Sequence, residues 1–249
     1  MNYRKLSTEI SEWIKKEVKR AKGNGVVFGL SGGVDSSVVG ILCKEAFPDT
    51  HLALLLPCFT PKEDMEDANL IVEKFGLNSK TINLEPVFLE FSRILGIDPN
   101  RRELSVANIK PRLRMIALYH FANKMNYLVI GTSNKSELTM GYFTKYGDGG
   151  VDLLPLGDLT KTEVYKLAKT IGVPERIIKK PPSAGLWPGQ TDEGEMGIRY
   201  KDLDKMISAL EKGKILSGFK KDVVEKILTR SKQVSHKLKP PKIFKVKSP

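Results

Sequence analysis

The chain has 249 residues, 41% of them hydrophobic and 8% aromatic, which is enough for one α/β domain with appendages or for two small domains. Its longest clean apolar stretch, 52–57, is far too short to span a bilayer, and its first residues lack the apolar core and cleavage site of a signal peptide, so a cytoplasmic protein with no membrane partner is expected. The net charge of +12 suits either nucleic acid or small phosphorylated ligands; lysines scattered without an aromatic-interleaved basic stripe favour small ligands and no nucleic acid, and two cysteines outside any C-x-x-C pair exclude a zinc ribbon.

In chain order, Leu6, Ile10, Trp13, Ile14 and Val18 recur at helical spacing and predict an amphipathic helix over 6–21. Gly23-Asn24-Gly25 breaks it. Residues 26–30 read as a buried strand, and a helix follows over 34–46. A second buried strand covers 51–56, ending at Pro57. A helix spans 62–75 with Gly76 as its C-cap, a short strand covers 81–84, and a helix covers 86–95. The segment 108–125 is a long helix that Asn108 can cap, with Pro111 in its first turn. Residues 127–130 form another buried strand, ending at Gly131-Thr132.

Strands alternating with helices imply a parallel sheet with right-handed crossovers. The expected fold is α/β, a Rossmann-like doubly wound parallel sheet of about five strands flanked by helices, with extra C-terminal helices. Ligands of such sheets sit beyond the C-terminal strand ends, so 31–36 and 131–137 should face one cleft. Past that point 141–150 is a Gly-rich polar loop and 153–156 a short apolar run. Thr160 caps a helix to about Ile171, with Glu163 completing a capping box. Residues 180–197 carry too much Pro and Gly for regular structure. Helices follow over 199–212 and 219–233, and no acid occurs from Ser231 to Pro249. The whole is expected to be a single domain over 1–249, with the N-terminal helix 6–21, a core over 26–172 and a C-terminal part over 173–249.

The chemistry begins at Ser31-Gly32-Gly33-Val34-Asp35-Ser36. A tight Gly-rich turn leading into a helix aims backbone N–H groups and a helix N-terminus at an anion, and Ser31 and Ser36 add hydroxyl donors. Asp35 beside an anion makes sense with a divalent cation between them. This run resembles the pyrophosphate-binding loop of ATP pyrophosphatases; it is not a Walker A loop, since no Gly-Lys-Ser/Thr follows. In Gly131-Thr132-Ser133-Asn134-Lys135-Ser136-Glu137, Glu137 sits just beyond a strand, where it could meet Asp35 around Mg²⁺.

SGGVDS, NIKPRLRM (108–115), GTSNKSE, FTKYGDGGVDLLPL (143–156), LTKTEV (159–164), a PSAGLW loop and a late His236-Lys237 occur in that order. Together they resemble the ammonia-dependent NAD⁺ synthetases over almost the entire chain. The resemblance implies a carbon–nitrogen ligase that uses ATP as co-substrate and Mg²⁺ as cofactor. It adenylates the nicotinic acid carboxylate of deamido-NAD⁺ and lets ammonia displace AMP, giving NAD⁺, AMP and pyrophosphate in the last step of NAD⁺ biosynthesis. It further implies that Gly29, Leu30, Ser31, Gly32, Gly33, Val34, Asp35 and Ser36 bind the ATP phosphates, that Thr132 and Ser183 contact ATP, and that Asp35 and Glu137 hold Mg²⁺. Lys161 would neutralise phosphate charge. Arg112, Lys145, Asp148 and Asp152 would bind deamido-NAD⁺, with His236 and Lys237 closing over it, and Asp148 is the candidate to orient ammonia or take its proton. A homodimer is implied as well. Neither cysteine sits in a nucleophile-elbow context and the length leaves no room for an amidase domain, so free ammonia, or ammonia from a separate glutaminase, is the expected nitrogen donor.

Two other readings use the same loop. One is a tRNA-modifying relative that adenylates a nucleobase, which the basic charge fits but which FTKYGDGGVDLLPL and the missing catalytic cysteine pair oppose. The other is an ATP-binding regulatory module, which needs neither the carboxylate pair nor the Arg112, Lys145 and Asp152 set.

Overall fold

Successive strand residues point to opposite faces of a sheet, and in this chain both faces are apolar. The computed structural model describes residues 1–183, 185, 187, 189–213 and 218–246. Among these, parallel strands β1 (Gly25–Gly29), β2 (His51–Leu55), β3 (Ser79–Thr81) and β4 (Tyr127–Ile130) form one four-stranded sheet in the order β3-β2-β1-β4. The helices are α1 (Tyr3–Arg20), α2 (Val34–Ala46), α3 (Lys62–Phe75), α4 (Glu85–Leu95), α5 (Leu104–Ala107), α6 (Ile109–Met125), α7 (Lys135–Met140), α8 (Lys161–Thr170), α9 (Glu175–Ile178), α10 (Asp192–Met196), α11 (Tyr200–Glu211) and α12 (Lys221–Val234), with a 3-10 turn at Ser235–Lys237.

Val26, Phe28, Ala53, Leu55 and Ile130 enter one apolar layer with Ile14 and Val18 of α1, Val38 and Leu42 of α2, and Val164 and Leu167 of α8. The alternate residues Val27, Leu54 and Val129 enter the other, against Phe88 of α4 and Leu118 of α6. A third cluster joins Met140 to Met196, Tyr200, Leu203, Met206, Ile207 and Ile227, so α7 is shared between the sheet domain and the C-terminal helices. Asn2 starts α1 by accepting the N–H groups of Arg4 and Lys5, each at 3.1 Å.

The chain builds β1, β2 and β3 outward, then returns to lay β4 on the other side of β1. The switch point therefore lies between β1 and β4, and the segments leaving those strands open into the same crevice. The doubly wound parallel sheet is as expected. Its fifth strand is reduced to a single bridge, Ile130 with Leu153, because Asp152 and Leu153 both give their N–H groups to Val129 O, at 2.9 and 3.2 Å, and the chain then turns away.

Three boundaries differ from expectation. The third strand is 79–81 rather than 81–84; Ile82 and Leu84 still donate to Leu55 O and Pro57 O, at 2.9 and 2.8 Å, but the pairing there is too sparse to count as strand. Asn108 stands at the N-cap position of α6 but makes no side-chain cap hydrogen bond. It is itself helical, α5 runs into it, and its Oδ1 accepts instead from Thr144 Oγ1 at 2.8 Å. The irregular 180–197 segment contains the short helix α10, capped by Thr191 accepting from Gly194 N.

Gly32 is the tightest backbone constraint near the crevice. Its φ is +82°, and a Cβ there would stand 2.2 Å from Asp64 O of α3. Gly76 has a similar φ, +61°, but open space around it. Gly76→Ala should cost only backbone strain, about 1–2 kcal/mol. Gly32→Ala should exceed that by at least about 1 kcal/mol, because backbone rather than a flexible side chain must move. Urea unfolding of the two variants side by side measures the difference.

Candidate active site

The chain leaves β1 at Gly29 and reaches α2 through a short loop. Leu30 is buried and donates to Leu54 O at 2.9 Å, which carries the sheet ladder up to the edge of the loop. Ser36 Oγ donates to Gly33 O at 3.0 Å and accepts from Ser31 N at 3.2 Å. Ser31 Oγ lies 3.0 Å from Ser36 Oγ and accepts from Gly33 N at 3.3 Å. The two serines thus tie the loop into one shape at the N-terminus of α2, where Gly33 is the N-cap and the buried Val34 the first helical residue. A fixed Gly-rich loop at the positive end of a helix is a binding site for phosphate.

Asp35 lies in the first turn of α2, and Lys161, only 2% exposed, opens α8. Lys161 Nζ is 2.5 Å from Asp35 Oδ2 and 3.2 Å from Glu137 Oε1. Asn134 locks the two acids together: its Nδ2 donates to Asp35 Oδ1 at 2.9 Å, and its backbone N–H to Glu137 Oε2 at 3.2 Å. Its Oδ1 accepts from Glu137 N at 3.1 Å, closing the capping box that starts α7. Glu137 is therefore the N3 residue of its own helix, its charge favoured by that helix's dipole.

A lysine at a helix N-terminus is unfavourable unless anions face it; here the anions are Asp35 and Glu137. Desolvation lowers the pKa of the Lys161 ammonium, yet the charges of Asp35 and Glu137 overcome it and hold it above the ordinary lysine value. Desolvation raises the Glu137 carboxyl above its usual range; Lys161 opposes the shift and Asp35 adds to it. The Tyr200 ring lies 5.2 Å from Nζ, a distance suited to cation–π attraction.

The donor set suits a hard cation. Asp35 and Glu137 reach one common point, the Lys161 Nζ, at 2.5 and 3.2 Å, so both can contact a single ion. Among the described residues no group of three or more His, Cys, Asp or Glu could hold a metal alone. Two carboxylates are oxygen donors of the kind Mg²⁺ accepts, since that ion binds through one or two carboxylates and keeps waters and substrate phosphates. Nearby, Asp192 of α10 is 4% exposed; its Oδ2 accepts from Tyr200 OH at 2.9 Å, and its Oδ1 has no hydrogen-bond partner among the described residues. Burial raises its carboxyl, opposed mainly by the Lys161 charge.

A second cluster surrounds the 141–148 loop. Lys145 Nζ donates to His236 O at 3.0 Å, and Arg112 Nη2 reaches Lys145 O at 3.4 Å. Lys237 Nζ donates to Gly141 O and Phe143 O at 2.7 and 2.9 Å. Asp148 accepts from Thr144 N at 2.8 Å. Arg112, Lys145, Asp148, His236 and Lys237 are thus brought together, and the C-terminal turn lies against the loop. Desolvation lowers the Lys237 ammonium, and the nearby Arg230 charge adds to this. Asp152 stands apart as a strut: Tyr119 OH and Val129 N donate to its two oxygens at 3.0 and 2.8 Å. Thr132 is half-buried just past β4, and Ser183 is exposed, its Oγ accepting from Gly185 N at 3.1 Å. Ala184 and Leu186 of the PSAGLW run lie outside the described residues.

Residues 6–241 match the family model described as NAD synthase. An NH(3)-dependent NAD(+) synthetase of Carboxydothermus hydrogenoformans is 49% identical over 228 residues, covering 91% of this chain and 94% of that protein. Among solved structures, an NMN synthetase from Francisella tularensis matches with a TM-score of 0.89 at 35% identity, over 99% of this chain and 100% of that one. An NH3-dependent NAD synthetase from Campylobacter jejuni, in complex with nitrate, matches with a TM-score of 0.84 at 33% identity, over 98% of this chain and 100% of that one.

Lys161→Met tests the buried triad directly. It leaves two desolvated carboxylates facing each other, a loss of about 3–5 kcal/mol for breaking a buried pair. Burial already raises the Glu137 carboxyl and the lysine charge opposes that, so without Lys161 the carboxyl is raised further and its protonation relieves the strain in acid. The deficit against wild type should be larger near pH ~9 than near pH ~5. Urea unfolding at the two pH values, with chelator present, gives the comparison.

Proposed function

The chain belongs to the NAD synthase family, and we propose that it makes NAD⁺ from deamido-NAD⁺, ATP and ammonia. The observation that carries the reading is the convergence of a phosphate loop, a carboxylate pair and a buried lysine at the switch point of the sheet. A carboxylate is a poor electrophile because its oxygen is a bad leaving group. In the first half-reaction a nicotinate carboxylate oxygen attacks the α-phosphorus of ATP; the bond to the bridging oxygen breaks and pyrophosphate leaves. In the second, ammonia attacks the acyl carbon, AMP leaves with the oxygen, and the nitrogen loses one proton.

The residues of Gly29–Ser36 bind the departing pyrophosphate through backbone N–H groups and the Ser31 and Ser36 hydroxyls. Asp35 and Glu137 hold Mg²⁺, which when bound neutralises phosphate charge. With its two acids so engaged, the Lys161 charge is directed to the phosphates. Thr132 and Ser183 contact ATP from the ends of β4 and the 181–189 segment. Arg112, Lys145, His236 and Lys237 form a basic wall for the phosphates of the dinucleotide, and Asp148 faces the nitrogen donor. Asp152, whose oxygens already brace β4, contributes through its remaining lone pairs. No covalent nucleophile is required, since positioning and charge stabilisation suffice.

A second copy of the chain covers the outer face of α4 and α6. Phe91 and Ile94 of α4 are 42% and 65% exposed, and Ile116 of α6 is 59% exposed, beside the layer that backs the cleft. An apolar surface of this kind calls for a partner. Ile116→Glu should shift the protein from dimer to monomer in sedimentation equilibrium; an unchanged mass would place the interface elsewhere. Two free buried cysteines, Cys43 and Cys58, suit a reducing cytoplasm, and no helix among the described residues is long and apolar enough to cross a membrane.

The activity test incubates the protein with Mg²⁺-ATP and ammonium plus either deamido-NAD⁺ or nicotinic acid mononucleotide, the second because one structural neighbour is described as an NMN synthetase. Equal formation of NAD⁺, AMP and pyrophosphate is expected with the dinucleotide, and little product with the mononucleotide. Glutamine should not replace ammonium. Asp35→Ala should lower kcat at least about 10³-fold, and Arg112→Ala should raise KM for the dinucleotide more than KM for ATP. Faster turnover of the mononucleotide would reassign the substrate while leaving the chemistry in place.

A further inference from the structure

We propose that Asp204, on α11, is a positioning residue that fixes the helices carrying Glu137 and Lys161 relative to one another, so that the C-terminal helices set the geometry of the reacting centre. The proposal rests on the roles assigned above to Glu137 and Lys161. Asp204 touches neither substrate nor cation in that scheme; it acts through its neighbours.

The argument starts from an anomaly of pattern. Tyr200, Leu203, Asp204 and Ile207 lie on one buried face of α11, and Asp204, 4% exposed, is the acid among apolar neighbours. Burying a carboxylate is costly unless its lone pairs are filled. Here they are filled by the two helices of the site. Asp204 Oδ1 accepts from Ser136 Oγ at 2.5 Å, and Oδ2 accepts from Thr162 N at 2.8 Å. Ser136 Oγ in turn accepts from Lys161 N at 3.0 Å. Ser136 precedes Glu137 in α7, and Thr162 follows Lys161 in α8.

Two consequences follow. The first two N–H groups of α8, which an isolated helix leaves unpaired, are both satisfied by this bridge, and its third donates to Thr160 O at 3.0 Å. The carboxylate also stands at the positive end of α8, where a negative charge is favoured. α8 is thereby fixed in both height and rotation against α7. From the first turn of α8, Lys161 Nζ reaches Asp35 of α2 and Glu137 of α7, so a shift of α8 against those two helices would change both contacts. Displacement of reacting groups by about 1 Å can cost on the order of 10²-fold in rate.

The experiment compares Asp204→Ala, Asp204→Asn and Ile207→Ala in the full-length protein. Ile207 packs on the same face of α11 and touches no residue of the bridge through a polar group, so its loss reports packing alone. Two readouts separate positioning from stability. One is the set of kcat, KM and half-saturating Mg²⁺ per folded molecule. The other is amide hydrogen exchange at Lys161 and Thr162 in the free protein, which involves neither metal nor nucleotide. Asp204→Ala should lower kcat about 10²-fold, raise the Mg²⁺ requirement, and accelerate exchange at both amides. Asn keeps one carbonyl acceptor for Thr162 and can donate to Ser136, so Asp204→Asn should recover most of each. Ile207→Ala should lower the melting temperature while leaving kcat within about twofold.

Equal kcat for Asp204→Ala and Ile207→Ala would overturn the proposal, as would unchanged exchange at Lys161 and Thr162. If Asp204→Ala does not fold, Ser136→Ala breaks the bridge at its α7 end while leaving Thr162 N on Asp204, so kcat and exchange at Lys161 decide, with Thr162 as the control whose exchange stays unchanged. A wild-type protein that forms no NAD⁺ would defeat the functional reading, whereas the exchange comparison would still test whether Asp204 fixes the two helices.

Discussion

One buried cation between two carboxylates holds this structure's chemistry together. Lys161, Asp35 and Glu137 stand in the first turns of three different helices, α8, α2 and α7. Each helix presents its positive end to the same point, so the acids are favoured there and the lysine is not. The ammonium stays because the acids are close; the acids tolerate burial because the ammonium and the Asn134 amide fill their lone pairs. With both acids ionised the group carries one net negative charge in a poorly hydrated place.

The sheet makes such a meeting possible. β1 and β4 are parallel neighbours, so their outgoing segments emerge side by side, and Asp35 and Glu137, 102 positions apart in the chain (137 − 35), become neighbours in space. Gly32 shows how tightly the loop is packed from behind, since α3 leaves no room for a side chain. A phosphate loop backed by helix backbone has little freedom to collapse inward. It keeps its N–H groups directed at the ligand rather than reorganising when charge develops.

Much of this was legible in the sequence because it is local or periodic. Apolar runs of strand length, the Gly-rich turn after residue 30 and the Thr-x-x-Glu capping pattern each report on neighbouring residues. The order of motifs carried the family. What stayed hidden is non-local. That Lys161 would be buried among acids could be foreseen only as a need for some anion. The bracing role of Asp152 depends on Tyr119 and Val129, which no spacing rule connects to it. Asn134 carried a usable signal, a capping residue three positions before Glu137. Asp204 carried a fainter one, an acid at an apolar-stripe position of α11. The β3 boundary was missed because an edge strand with three exposed residues has no burial pattern to read.

The C-terminal helices are more than an appendage to a nucleotide-binding sheet. They meet the site at two separate places. α11 enters through Asp204 at the joint between α7 and α8, and the turn after α12 lays Lys237 and the His236 carbonyl on the 141–145 loop. Ahead of both anchors stands Asp192, whose side chain accepts from Tyr200 OH and whose N–H donates to Pro182 O. The Gly-rich loop thus belongs to the sheet, whereas Thr162 N beside Lys161 and the carbonyls of Gly141 and Phe143 are held by residues after 200. A fragment ending near residue 172 would retain the loop, the acids and the lysine and still lack the contacts that aim them. In this chain the division between an ATP-binding core and a C-terminal extension is a division of sequence, and the reaction takes place where the two are joined.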